Sequence, residues 1–484
     1  MKDNNDLCTN RVCGLNRREF LGGCAACVAG FAGASVFGIK LAMAQAAAAG
    51  SSEKAKVRLI FTHEPPENAT WPYIGFDYEG RKKELTDKLR KACPYIEFLS
   101  DTAKNTDDAK KILEADKEVD GYLIYMLGLW TQAPQTIAAS SRPTLFVDDL
   151  YGGSGEFLSA IADARRKKLK VTGVSSTRFE DVVEAVKCFD CIKKLRSSVI
   201  LNVGAGPDWW GHVPAKVIEQ DFGLRVVDIT FEQLDEAYKK ADQAEAVKWA
   251  DRWMKNAEKI VEPSRQTIEK SGAMYLAMRD LMNRHKAQAI TVNCLGGFYG
   301  GHMTAYPCLG FFQLNNDGLV GTCEADMVST FTTLIMAYLV KRPGYISDPV
   351  IDTAKNQVIY AHCVAPNKVF GPDGPTNPYH IRSHSEDRKG AAIRSLLPLG
   401  EMTTTVQFDP QKKKVLLHQG KSVANIDEDK ACRTKLAVEV KGDIDKLLNY
   451  WDQWGWHRVT YYGDLKRPVE HIAALLGYEV VEEA

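Results

Sequence analysis

From residue 56 onward, short uninterrupted apolar runs alternate with longer charged stretches of helical period, and this rhythm restricts the chain more than any other feature. Residues 56–61, 121–126, 144–147 and 171–174 read as strands, the last three apolar on both faces. Such strands need cover on both sides, which a parallel sheet between helices supplies. A second unit of the same kind begins after Thr177, with strands predicted at 199–203, 224–229 and 289–292. Between the last two, residues 231–281 form a helical region rich in Ala, Lys and Glu, interrupted only by Pro263. After Lys341, Arg342, Pro343 and Gly344 the texture changes to short β-patterned runs at 358–361, 402–408 and 414–417, separated by turn residues. A helix over 444–454, a strand over 458–462 and a helix over 468–476 close the chain. The expected fold class is therefore α/β, with two Rossmann-like parallel-sheet domains over 56–176 and 177–343 and a mainly β C-terminal domain over 344–484.

Ahead of the first strand, Asn16, Arg17, Arg18, Glu19, Phe20 and Leu21 place paired arginines before a weakly apolar stretch over 22–41, and Ala42, Met43 and Ala44 offer small residues to a signal peptidase. Residues 1–44 are expected to be a twin-arginine signal peptide and 45–55 a disordered linker. Lys40, Gly, Ala and Cys dilute the apolar stretch too far for a stable membrane span. The expected destination is the periplasm or the extracellular space, with no membrane association after cleavage. That route carries folded proteins, so a metal can be loaded inside the cell.

The 62 basic and 62 acidic residues balance, so nothing in the charge suggests nucleic acid or a membrane surface as partner. Of 12 cysteines, Cys8, Cys13, Cys24 and Cys27 fall in the expected leader, and eight scattered ones do not make a disulfide scaffold in a chain this long. Cys188 and Cys191 form Cys-x-x-Cys, yet they sit within helical apolar periodicity and read as helix thiols rather than a zinc or redox pair. The glycines at 204 and 206 follow a strand, but Trp209 stands where a dinucleotide fingerprint needs its third glycine, so a tight turn is the better reading. Gly152, Gly153 and Gly155 lack the Lys-Ser/Thr of a phosphate loop and read as a loop or surface turn.

The densest chemistry lies between Asn293 and Asp326. Glu324 and Asp326 follow a short apolar run, where carboxylates are either paired with cations or bound to a metal. A competing reading makes them the acidic start of the apolar helix over 327–340. Further along, Asp348 stands at an expected turn of Ser347, Asp348 and Pro349, His362 tips a β-run, and His457 stands among Trp454, Trp456 and Arg458. A histidine among tryptophans is ordinarily a packed core residue.

The order Pro307-Cys308-Leu309, Asp317-Gly318, Cys323-Glu324-Ala325-Asp326, Asp348, Ala361-His362-Cys363 and Trp456-His457-Arg458-Val459 with Tyr462-Gly463-Asp464 resembles the L-fucose isomerase and L-arabinose isomerase superfamily. The resemblance implies two Rossmann-like domains, a C-terminal β-rich domain and a divalent metal, typically manganese (Mn2+), in an enzyme interconverting an aldose and a ketose. It also implies a homo-oligomer, a trimer or hexamer. By position it assigns Glu324, Asp348, His362 and His457 as metal ligands, with Glu324 and Asp348 as the catalytic base and acid that work through an enediol. Hard oxygen ligands and imidazole suit such an ion. Ala325 departs from the family's usual glycine, and residues 296–302 form an unusual loop. Candidates for contact with a sugar or short oligosaccharide are Trp209, Trp456 and His302, with Trp71, Tyr73, Trp130 and Trp210, while Arg382, His380 and His384 could reach hydroxyls. Because monosaccharide isomerases normally feed cytoplasmic kinases, the export signal keeps two alternatives open: a glycosidase or lyase reusing the fold, and a periplasmic sugar-binding protein.

Overall fold

The computed structural model describes residues 53–205 and 213–484. The expected leader, most of the expected linker, Trp209 and Trp210 lie outside the described residues.

Strands β1 (Ala55–Thr62), β2 (Ile96–Ala103), β3 (Gly121–Met126), β4 (Thr144–Asp148) and β5 (Val171–Val174) form an all-parallel sheet in the order β2-β1-β3-β4-β5. Helices α1 (Tyr78–Ala92), α2 (Thr106–Ala115), α3 (Ala133–Ala138), α4 (Ser154–Arg166) and α5 (Phe179–Arg196) follow or connect these strands. Leu59, Leu123 and Leu145 meet α1 and α5 on one face, and Ile60, Ile124 and Phe146 meet α2, α3 and α4 on the other. This double cover is why the strand sequences are apolar without alternation. Cys188 and Cys191 are buried on α5.

A second parallel sheet, in the order β10-β9-β6-β7, comprises β6 (Val199–Val203), β7 (Arg225–Ile229), β9 (Ala289–Val292) and β10 (Val320–Cys323). Gly204 leaves β6 with φ +67°, and any Cβ there would collide with the Phe231 ring. The helical region after β7 is broken more often than Pro263 alone predicts. Whereas α6 (Ala215–Phe222) precedes β7, the region after it divides into α7 (Phe231–Lys239), α8 (Gln243–Asn256), the two-residue strand β8 (Lys259–Ile260) and α9 (Arg265–His285). Asp242 and Ser264 supply the reason, because each side chain caps a new helix start. Short helices α10 (Cys294–Tyr299) and α11 (Cys308–Asn316) precede α12 (Met327–Val340). One side of α12 packs on the second sheet and the other on the strands that follow, which accounts for its apolar circumference.

Those strands are β11 (Tyr345–Asp352), β12 (Gln357–His362), β15 (Met402–Asp409), β16 (Lys414–Asn425), β17 (Thr434–Lys441) and β18 (Arg458–Tyr462). They run antiparallel in the order β15-β18-β11-β12-β17-β16, and pairing of β15 with β16 closes the ring. A short β19 (Glu479–Glu482) lies parallel on β16. Two smaller strands, β13 (Tyr379–Arg382) and β14 (Ala392–Ser395), join β8 in a separate three-stranded sheet, so the candidate residues His380 and Arg382 lie in a strand. Helix α13 (Ile444–Tyr450) precedes β18, and α14 (Lys466–Leu476) returns to pack on β5 and α5 of the first unit. The chain is thus α/β, with parallel-sheet units followed by an antiparallel barrel-rich one. Among the described residues no helix is long and apolar enough to cross a membrane.

Candidate active site

Asp348, expected in a turn, lies inside β11, paired with Ala361 of β12. Proline at 349 is compatible with a strand here because β18 pairs with β11 only along Tyr345–Ser347, so no ladder bond is lost on that side. The register sets Arg458 opposite Ser347 and Ala361 opposite Asp348, which brings His457 and His362 to either side of the carboxylate. Glu324 comes from the carboxyl end of β10. There Glu324 and Ala325 take φ values of +62° and +49°, so two successive left-handed residues turn the chain from strand into α12. That conformation explains why glycine would suit position 325. Asp326 then caps α12, its carboxylate accepting from the amide of Ser329 at 3.0 Å and from its hydroxyl at 2.6 Å. The helix-start reading therefore describes Asp326, while Glu324 turns away from the helix.

The four side chains assigned by position converge. His362 Nε2 lies 3.6 Å from one oxygen of Glu324, and His457 Nε2 lies 3.7 Å from the other and 3.1 Å from Asp348 Oδ1. Ligand atoms of Glu324, His362 and His457 all fall within 4.8 Å of one another. Glu324 and Asp348 open on a cavity of about 670 Å3, whose wall also includes Val350, Glu386, Cys432 and Trp456.

Residues behind the cluster orient it. Asp326 holds His457 Nδ1 at 3.0 Å, which fixes that nitrogen as the donor and turns Nε2 toward Glu324 and Asp348. Trp456 Nε1 donates to Asp348 Oδ1 at 2.7 Å. Burial opposes charge on His457, but Asp326, Asp348 and Glu324 prevail and raise its pKa well above the ordinary histidine value. Burial acts on Asp348 too, yet the hydrogen bond from His457 and the charge of both imidazoles hold it below the usual carboxylate range. Glu324 behaves oppositely: burial lifts its pKa, and the two histidines offset this only in part. The two cavity carboxylates are thereby driven apart, one toward holding a proton and one toward staying ionised. Burial disfavours charge on His362, but Cys363, Asp348 and Glu324 outweigh it and raise its pKa to about 9. The Cys363 amide, pointing at Nδ1 from 3.0 Å, opposes a hydrogen on that nitrogen.

A divalent ion fits this set. Glu324, Asp348 and His457 offer hard oxygens and a correctly oriented imidazole as they stand. Nε2 of His362 is buried without a hydrogen bond among the described residues, and it joins them only at the cost of the contact that the Cys363 amide makes with Nδ1.

Other expected contacts lie elsewhere. Arg382 spends its guanidinium on Glu262, at 2.8 and 2.9 Å, and His380 pairs with Glu258 at 3.1 Å, because β13 docks against β8. His302 stacks on Phe231 with centroids 5.3 Å apart, and Trp71, Tyr73 and Trp130 are exposed on the first unit. None of these lines the cavity, whereas Trp456 does. Sequence reasoning missed Glu386 and Cys432 as wall residues and Asp326 as the partner of His457. The acidic helix start was a visible signal for Asp326, but a single cysteine in the charged run 427–433 carries none.

No protein-family model matches the chain. It is 23% identical over 253 residues to a protein of Priestia aryabhattai named sulfoquinovose isomerase, and to the protein of the same name in Priestia megaterium (strain ATCC 12872 / QMB1551). The similarity covers 51% of this chain and 56% of each relative, so the chain spans about half the length of the curated relatives it matches.

Proposed function

We propose that the protein is a divalent-metal-dependent sugar isomerase that interconverts an aldose and a ketose. The observation that carries this is the meeting of Glu324, Asp348, His362 and His457, from four separate segments, with Glu324 and Asp348 on the wall of one cavity. The relatives named as sugar isomerases support it. Glu324, Asp348, His362 and His457 would hold the ion, manganese by the family resemblance, and a bound ion would polarise the sugar carbonyl and its neighbouring hydroxyl. Asp348, held ionised, is suited to take the proton from C2. Glu324, lifted by burial, is suited to carry a proton between the two oxygens as the enediol forms and collapses. The proton taken from C2 returns to C1, so atoms balance with no co-reactant.

The wall residues include three carboxylates, Glu324, Asp348 and Glu386, and no Lys or Arg. An anionic sugar would find no Lys or Arg among the described wall residues to pair with. A neutral aldose of the L-fucose or L-arabinose type is the substrate class this wall favours, and Leu295, Val350 and Ala361 offer it apolar contact. Export by the twin-arginine route, with residues 1–44 removed, belongs to the same proposal and is tested by fractionating expressing cells.

The deciding experiment measures bound metal, then incubates metal-free and Mn2+-loaded protein with L-fucose, L-arabinose and a sulfonated hexose. Ketose from a neutral sugar, dependent on Mn2+ and lost in a folded Glu324→Gln variant, is expected. Metal binding without any ketose, or unchanged turnover in Glu324→Gln, removes the proposal.

A further inference from the structure

Beside the carboxylate cluster, three buried atoms of softer chemistry face one another. A ring nitrogen of His362, Sγ of Cys363 and Sγ of Cys432 all lie within 4.8 Å of each other. Cys363 Sγ stands 3.7 Å from His362 Nδ1, and Cys432 Sγ stands 3.8 Å from Asp348 Oδ2. Two residues are therefore shared. His362 turns Nε2 toward Glu324 and Nδ1 toward the thiols, while Asp348 turns Oδ1 toward His457 and Oδ2 toward Cys432.

The two histidines differ in which nitrogen is ready to bind. Asp326 keeps the hydrogen of His457 on Nδ1 and leaves Nε2 for the carboxylate cluster. At His362 the Cys363 amide contacts Nδ1, so that nitrogen bears the lone pair and the hydrogen sits on Nε2. That lone pair faces the thiol side, and an ion there would take it over from the Cys363 amide. Cys363 and Cys432 are free thiols with no disulfide to satisfy them. Cys432 also reaches the cavity wall, which gives an ion a way in.

We propose that His362 Nδ1, Cys363 and Cys432 form a second metal site, selective for a soft ion of the Zn2+ type. Two thiolates and an imidazole discriminate against manganese and magnesium, which prefer oxygen. Binding releases the two thiol protons to solvent and needs no oxidant. Asp348 Oδ2 is placed to approach the fourth position. Because His362 and Asp348 serve both sets, a zinc-type ion on the thiols draws ligands from the carboxylate cluster and weakens its hold on Mn2+.

The test does not depend on the isomerase reading. The full chain, stripped of metal, is titrated with Co2+, whose thiolate complexes absorb by charge transfer in the near ultraviolet while carboxylate and imidazole ligation does not. The band is expected in the wild type and is expected to vanish in both Cys363→Ser and Cys432→Ser. Should either variant fail to fold, zinc X-ray absorption on wild-type protein, loaded with one equivalent of Zn2+ in excess Mn2+, decides. Two sulfur neighbours at about 2.3 Å support the site. No cobalt–thiolate band in the wild type, a band that survives both substitutions, or a zinc shell of nitrogen and oxygen alone overturns it.

Discussion

Replacing Asp326 by asparagine isolates the orientation of His457 from the rest of the site. The substituted amide would keep the oxygen that accepts from the Ser329 backbone N–H, and asparagine caps helices as well as aspartate, so α12 retains its start. What changes is the atom facing His457 Nδ1: a carboxylate oxygen at 3.0 Å becomes an amide donor. The imidazole must then accept at Nδ1 and carry its hydrogen on Nε2, pointing it at Asp348 and Glu324 where an ion needs a lone pair. Loss of such an orienting partner costs roughly 10–100-fold in metal affinity, about 1.4–2.7 kcal/mol. The metal-free protein also loses a charge-assisted hydrogen bond, worth about 2 kcal/mol of stability. Asp326→Ala would add a lost cap of about 1 kcal/mol and so is the less selective variant. Titration of Mn2+ followed by the paramagnetic resonance of the free ion measures the affinity, with chemical denaturation of the metal-free protein alongside. A folded Asp326→Asn protein that binds Mn2+ as tightly as the wild type would refute the claim that Asp326 sets the tautomer.

Three further outcomes are expected. Burial depresses the pKa of His471, which meets Thr172 Oγ1 at 2.7 Å, to about 4; the unfolded chain then binds the proton first, so stability is fully present above about pH 6.5 and falls by about 3 kcal/mol as pH drops to about 4. His471→Asn should flatten that part of the stability–pH curve, and an identical curve would dismiss His471. Glu483 is held at about 2, against burial, by the Arg458 charge and His418, and the Arg458 guanidinium also binds the carbonyls of Trp451, Gly455 and His457. Glu483→Gln leaves that buried cation uncompensated and should cost about 3–5 kcal/mol in denaturant unfolding, with a loss under about 1 kcal/mol counting against it. Trp456→Phe removes the indole donor to Asp348 from a half-exposed side chain, so sugar KM should rise about fivefold or less with little change in stability; a large stability loss with unchanged KM would contradict its place on the wall.

Much was legible from neighbours along the chain. Residues 121–126, 144–147, 199–203 and 289–292 declare themselves because a strand covered on both faces admits only apolar side chains, and Asp326 declares a helix start because the first turn of α12 needs an acceptor. The strand at Thr434–Lys441 went unread although Leu436, Val438 and Val440 alternate inward; its signal was present but shared with charged residues on the other face.

Local pattern, then, determined the layered α/β frame and the residues able to carry chemistry. Only the folded barrel decided which of them meet. Asp348 is a strand residue because Ala361 of β12 pairs with it, His457 reaches it because β18, more than a hundred positions later, pairs with the residues just before it, and Arg382 is withheld from the cavity because Glu262 arrives just past the separate strand β8. Strand register and long-range ion pairs are properties of two distant segments at once, so no window of sequence containing only one of them can express the result.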